Sequence, residues 1–126
     1  MNVPADLKYT NHDEWIRVEG DTVTLGISDF AQNELGELVH VELPEVGAEF
    51  DAGAAICEVE SVKAVAEVYT PVAGTVTAVN EGLDGSEDTI NEDPYGAGWL
   101  VKLSVSDLSP VDGLMDADAY QNKIDG

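Results

Sequence analysis

A chain with few cations gives each of them weight. Its 126 residues hold 26 Asp and Glu against 5 Lys and Arg, a formal net charge of -21 at pH 7. The bases are Lys8, Arg17, Lys63, Lys102 and Lys123. Lys63 lies in Glu60-Ser61-Val62-Lys63-Ala64, between small or apolar neighbours, with the acids Glu60 and Glu67 close by. Two chemistries suit an amine in that setting. It can be an ion-pair partner for those acids, which spacing alone favours. It can also be a modification site: an amine carried into solvent on a four-carbon stem, where an enzyme reaches it and acylation removes its charge.

The other reactive residue types point to little chemistry. Cys57 is the sole cysteine, so neither an internal disulfide nor a thiolate metal cluster can form. A catalytic thiol needs a cationic neighbourhood, and Glu58 and Glu60 supply the opposite, so Cys57 reads as a small buried residue. His12 and His40 are assigned no chemistry, and no metal site is expected. The acidic balance argues against nucleic acid, because neutralising phosphates takes Lys and Arg. The acids are spread along the whole chain, which fits a surface adapted to concentrated salt better than one acidic docking tail. No apolar run approaches a membrane span and residues 1–10 lack the apolar stretch of a secretory signal, so a cytoplasmic location is the expectation.

Strands must position Lys63. Ala54 to Glu60 and Ala64 to Tyr69 are strand candidates around Ser61-Val62-Lys63, a hairpin of about residues 54–69. Alternation places Ala55, Cys57 and Val59 on one face and Glu58 and Glu60 on the other. Val-Lys is not an Asn-Gly type of turn signal, so a tight bend there is inferred from the flanking strands. Trp15–Glu19, Thr22–Ile27, Glu37–Leu43, Thr75–Val79 and Trp99–Val105 read as further strands, with Val39, Val41 and Leu43 sharing a face. Ser28 is placed to cap a short helix ending at Leu35, with Gly36 as its stop. Residues 84–98 read as an acidic loop. Ser109-Pro110 is expected to open a C-terminal helical segment of about residues 109–123. The length suits one domain, residues 1–126, and many short strands with small helices imply a mostly antiparallel β fold.

The segment Glu60-Ser61-Val62-Lys63-Ala64, continuing through Thr70-Pro71 and Gly74, resembles the lipoylation motif of glycine cleavage H-proteins. On that stretch alone, a lipoyl domain of a 2-oxoacid dehydrogenase or a biotin carrier also comes into view. The biotin setting Met-Lys-Met is absent, and acyltransferase lipoyl domains usually have Asp-Lys where this chain has Val62-Lys63. Other stretches resemble the H-protein family in order and spacing: Lys8-Tyr9-Thr10 with Glu14-Trp15, Leu25 to Asp29 with Leu35-Gly36, Val41 to Gly47, Asn91 to Gly96 with Gly98-Trp99-Leu100, and Asp116 to Tyr120. The chain departs at Asp13-Glu14-Trp15, where the family commonly reads His-Glu-Trp, at Phe30, where some relatives have His, and at His40, a place usually aromatic.

The resemblance implies a barrel-sandwich hybrid fold, mostly β, with short helices and a C-terminal helix. It implies lipoate joined to Lys63 as an amide, and a carrier without turnover of its own. The arm would take the aminomethyl group of glycine from the P-protein, yield it to the T-protein and be reoxidised by the L-protein, after lipoate-attaching enzymes have modified it. It implies that Glu14 and Glu67 line a cleft that shelters the aminomethyl amine. A monomer is expected. Two alternatives stand beside this: an H-like protein that relays lipoate to other complexes or regulates them, and a structural acidic β-domain whose Lys63 is never modified. The charge carries its own prediction. At about 1 M salt the Debye length is about 3 Å and self-repulsion is screened, so the melting temperature is expected to rise with added KCl. A melting temperature insensitive to KCl would refute a salt-adapted surface.

Overall fold

The computed structural model describes residues 2–125. Six strands form one antiparallel sheet: β1 (Lys8–Tyr9), β2 (Glu14–Glu19), β3 (Thr22–Ile27), β5 (Glu49–Phe50), β8 (Gly74–Val79) and β9 (Val101–Ser104), in the order β1-β2-β3-β9-β8-β5. Three more, β4 (Leu38–Glu42), β6 (Ala55–Ser61) and β7 (Val65–Tyr69), form a second antiparallel sheet in the order β4-β6-β7. The fold is therefore the expected mostly β sandwich with short helices, and not a closed barrel. Alternation along β3 and β9 sends Val23, Leu25, Val101 and Leu103 inward, where they meet Val59 and Val68 of the smaller sheet. None of the described helices is long and apolar enough to cross a membrane.

Helix α1 (Asp29–Leu35) forms as its ends dictate. The Ser28 hydroxyl accepts from the Ala31 amide, and Gly36, with φ of 80°, stops the helix in a conformation that favours glycine. The acidic stretch 84–98 is more ordered than a loop. It contains α2 (Thr89–Glu92), anchored by the fully buried Ile90. The C-terminal segment is two helices. Ser109–Gly113 is a 3₁₀ helix, and Ser109 does not cap it, because its hydroxyl donates to Asp107 Oδ1 at 2.7 Å. Met115 then pairs with Tyr9 before α3 (Ala117–Asp125), where Asp116 accepts from the Ala119 amide. Tyr120 docks this helix into a second apolar cluster with Tyr9, Trp15 and Tyr95, stacking on Tyr9 at 4.6 Å.

Two bulges in the smaller sheet break simple alternation. Between Ala55 and Cys57 an extra residue enters β6, so Ile56 is buried and Ala55 is exposed. Cys57 and Val59 point inward, and Glu58 and Glu60 outward, as expected. Between Leu38 and His40 the register of β4 shifts as well. Leu38 takes the inward place, and Val39 is turned to solvent instead of sharing a face with Val41. A single extra residue reverses side-chain phase, and composition carries no signal for it.

β2 and β3 of the larger sheet pack closely. Trp15 is fully buried opposite Gly26, and its indole N–H donates to the Pro94 carbonyl at 2.9 Å. A Cβ on Gly26 would come within 2.7 Å of the indole nitrogen. Gly26→Ala is therefore expected to destabilise the fold by about 1–3 kcal/mol, read as a lower urea midpoint with unchanged slope. An unaltered midpoint would show that the indole has room to move.

Candidate functional site

Lys63 sits at the end of the β6–β7 hairpin, and Ser61 makes that end. The Ser61 hydroxyl accepts from the amides of Lys63, at 3.3 Å, and Ala64, at 3.0 Å, and donates to the Ala64 carbonyl at 3.2 Å. The Ser61 amide adds a 2.8 Å bond to the same carbonyl. Neither Val62 nor Lys63 has a positive φ. The bend is thus closed by a buried side chain in place of the glycine-dependent turn that usually links two strands.

A second element braces the tip. The Val62 amide donates to the Glu37 carbonyl at 3.1 Å, just past the end of α1. Asn91 holds that corner with its whole amide group: Nδ2 donates to Gln32 Oε1 and the Gly36 carbonyl, and Oδ1 accepts from the Leu38 amide. The Lys63 stem runs along this wall, with Cε 3.7 Å from where a Cβ on Gly36 would stand. At the other end, Thr70 stitches the hairpin base to Gly53 and Ala54 through backbone bonds of 2.7 and 3.0 Å.

The surroundings leave the Lys63 amine uncommitted. Among the described residues the ion contacts are His40 with Glu42 and Lys123 with Asp13, so the pairing of Lys63 with Glu60 or Glu67 does not form. Arg17, Lys102 and Lys123 lie over the rings of Trp15, Trp99 and Tyr120. Lys63 is exposed and has neither kind of partner among the described residues. Cys57 is buried, and burial pushes its thiol up to about 12, which removes it as a nucleophile. The described residues contain no group of His, Cys, Asp and Glu arranged to hold a metal ion.

Glu14 and Glu67 are joined without facing each other. Glu14 is 1% exposed; Oε1 accepts from the Thr10 hydroxyl at 2.5 Å and Oε2 from the Tyr69 amide at 2.8 Å. Glu67 is exposed and accepts from the Tyr69 hydroxyl at 3.1 Å. Tyr69 therefore touches both, with its backbone on one and its phenol on the other. A cleft of about 380 Å³ opens beside Glu14, lined in part by Thr10, Asn11, His12, Tyr69 and Pro71. Glu67 instead borders a neighbouring groove with Glu42, Phe50 and Glu58. The exposed His12 ring stands 4.8 Å from the Tyr69 ring at the cleft mouth. Sequence reasoning passed over Tyr69, Thr10 and Asn91. Their roles come from side-chain and backbone hydrogen bonds, several of them between distant segments, which leave no periodic signal.

A family model described as glycine cleavage H-protein matches residues 7–126. The chain is 50% identical over 124 residues to a glycine cleavage system H protein of Anoxybacillus flavithermus, with 98% of each covered. It is 51% identical over 125 residues to a probable glycine cleavage system H protein of Haloarcula marismortui, covering 99% of this chain and 98% of that relative. The crystal structure of a glycine cleavage system H protein from Mycobacterium marinum matches with a TM-score of 0.89 at 38% identity, over 98% of this chain and 99% of that one.

Burial raises the Glu14 carboxyl pKa above its ordinary value of 4.5, and the bonds from Thr10 and Tyr69 offset this only in part. The folded state thus holds this proton more tightly than the unfolded chain does. The resulting stability is complete below the ordinary carboxylate range and is lost as pH rises through the raised folded value. Glu14→Gln removes that titration. The variant is expected to gain stability relative to the native chain as pH rises from the ordinary carboxylate range through the raised folded value, measured by urea unfolding of both. A constant difference between the two across that range would contradict the assignment.

Proposed function

The chain belongs to the glycine cleavage H-protein family, and on that footing we propose that it is a lipoyl carrier whose Lys63 amine bears the lipoyl group as an amide. In this reading it is a shared substrate of the P-protein, T-protein and L-protein and has no turnover of its own. It is modified by lipoate-attaching enzymes and works as a monomer of one domain in the cytoplasm. The observation that supports this most directly is the uncommitted, exposed Lys63 amine on a hairpin end braced by Ser61, Glu37 and Asn91. A covalent arm needs an anchor of that kind: reachable by an enzyme, free of a competing carboxylate, and fixed below the side chain.

When bound, the dithiolane supplies a sulfur that accepts the one-carbon amino fragment of glycine and a disulfide that is reduced in the process. The chain's own residues do the rest. Lys63 tethers the group, which raises its effective concentration at any enzyme docked on the carrier. Glu14 lies beneath the Thr10–Tyr69 cleft, and an amine of positive charge entering there favours the ionised form of its carboxyl. Two unit charges about 4 Å apart at an effective dielectric of about 20 gain about 4 kcal/mol, an upper guide before screening. Glu67 acts from the far side of the Tyr69 phenol, holding that ring at the cleft edge.

The test is intact-mass measurement of the full chain expressed in a lipoate-replete host. The native protein is expected to gain the mass of one lipoyl amide, and Lys63→Arg is expected to gain nothing. A native chain that stays unmodified overturns the carrier reading, and a Lys63→Arg chain that still gains the mass overturns the site.

A further inference from the structure

The most exposed large apolar side chains include Val62, Val65 and Val39, at 67%, 56% and 44% exposure. All three stand around Lys63. Val62 precedes it in the bend, and Val65 opens the returning strand opposite Glu60. Val39 lies between Leu38, which is paired with Ser61, and His40, which is paired with Glu60. Single exposed valines are ordinary, but three gathered at one hairpin end, around Glu60 and His40, are not. Folding does not ask for Val62 in the bend; Val39 and Val65 stand in strands, where a β-branched residue is favoured, but both face solvent. A β-branched residue gains nothing in a solvent-facing bend, and Val39 reaches solvent only through the bulge in β4. Around this collar stand the exposed carboxylates of Glu37, Glu58, Glu60 and Glu67.

We propose that Val39, Val62 and Val65 form the docking collar for the enzyme that acylates Lys63, and that this enzyme meets the surrounding carboxylates with a basic rim. The inference rests on the carrier reading above. Geometry selects this partner over those that use the finished arm. An enzyme that forms the amide must bring its bound acyl carbon to about 3–3.5 Å from Nζ, so its surface covers whatever flanks the lysine stem. Partners that act at the far end of the arm have no such need. In the step itself, the neutral amine forms a bond to the carbonyl carbon of an activated acyl donor. The bond to the activating group breaks, that group departs with the electron pair, and the Nζ proton passes to a base. Among the described residues no basic side chain stands beside the tip to repel a basic partner, apart from Lys63 itself and His40, which contacts Glu42 at 3.2 Å.

The experiment uses the full chain in its unmodified form, a lipoate-attaching enzyme, ATP and lipoate, with intact mass followed over time. The triple variant Val39→Thr, Val62→Thr, Val65→Thr keeps shape and removes apolar surface. Its kcat/KM for acylation is expected to fall by about tenfold, chiefly through KM. Val18→Thr and Val46→Thr, exposed elsewhere at 40% and 60%, are expected to leave the rate unchanged. If the triple variant melts lower than the native chain, Val62→Thr alone decides, because its side chain is the most exposed of the three. A rate within about twofold of native overturns the collar. So does a variant that is acylated normally but fails with the other glycine cleavage proteins, since the surface then serves them. A native chain that is not acylated at all sinks the carrier reading instead.

Discussion

The hydroxyl of Ser61 closes the bend that carries Lys63, and the rest of the site depends on that closure. Two amides and a carbonyl at the hairpin end are satisfied by one buried side chain. Each such bond contributes about 1 kcal/mol net, and a buried group left without one costs more. The arrangement frees positions 62 and 63 from the glycine or asparagine that a two-residue hairpin turn would demand. A lysine and a valine can therefore occupy the apex. The chemistry of the site follows from a serine placed two residues before the amine.

Charge sets the second constraint. Register puts Glu42, Glu58 and Glu67 in one cross-strand row on the outer face of the smaller sheet. Like charges directly opposite destabilise a sheet, and two of the three belong to the hairpin that carries Lys63. The cost is offset beneath it, where Val59, Val68 and Cys57 are buried in the main apolar core. Concentrated salt lowers it further by shortening the range of repulsion. The scarcity of cations has a functional side too. Three of the five bases are laid over aromatic rings, so the amine at the hairpin end stands in an acidic field without a local partner.

What could be read from sequence follows the range of the forces involved. β3 and α1 were legible because their determinants are local: alternation from Thr22 to Ile27, a serine cap and a glycine stop. The hairpin was legible from its strands, and the family resemblance supplied its purpose. The outward turn of Val39 and the inward turn of Ile56 were not, because each depends on a bulge whose position is set by pairing across the sheet. Ser109 had the right type and neighbour for a cap, but Asp107 competes for its hydroxyl and holds the chain in a 3₁₀ turn. The acidic stretch 84–98 looked like solvent-exposed loop by composition. One buried isoleucine and Asn91, reaching across to Gly36 and Leu38, give it a structural task.

The same logic ties the anchor to the cleft. β7 begins two residues after Lys63 and ends at Tyr69, whose amide holds Glu14 and whose phenol holds Glu67. The five residues of β7 span about 13 Å from first to last Cα, and a hydrogen-bonded strand neither stretches nor bends easily. Lys63 and the cleft beside Glu14 are therefore at a fixed separation, set by one strand and not by two independently moving loops. A carrier gains from this. With the proposed arm on Lys63, the distance to the cleft is defined by the backbone, so the mobility such a carrier needs can reside in the arm.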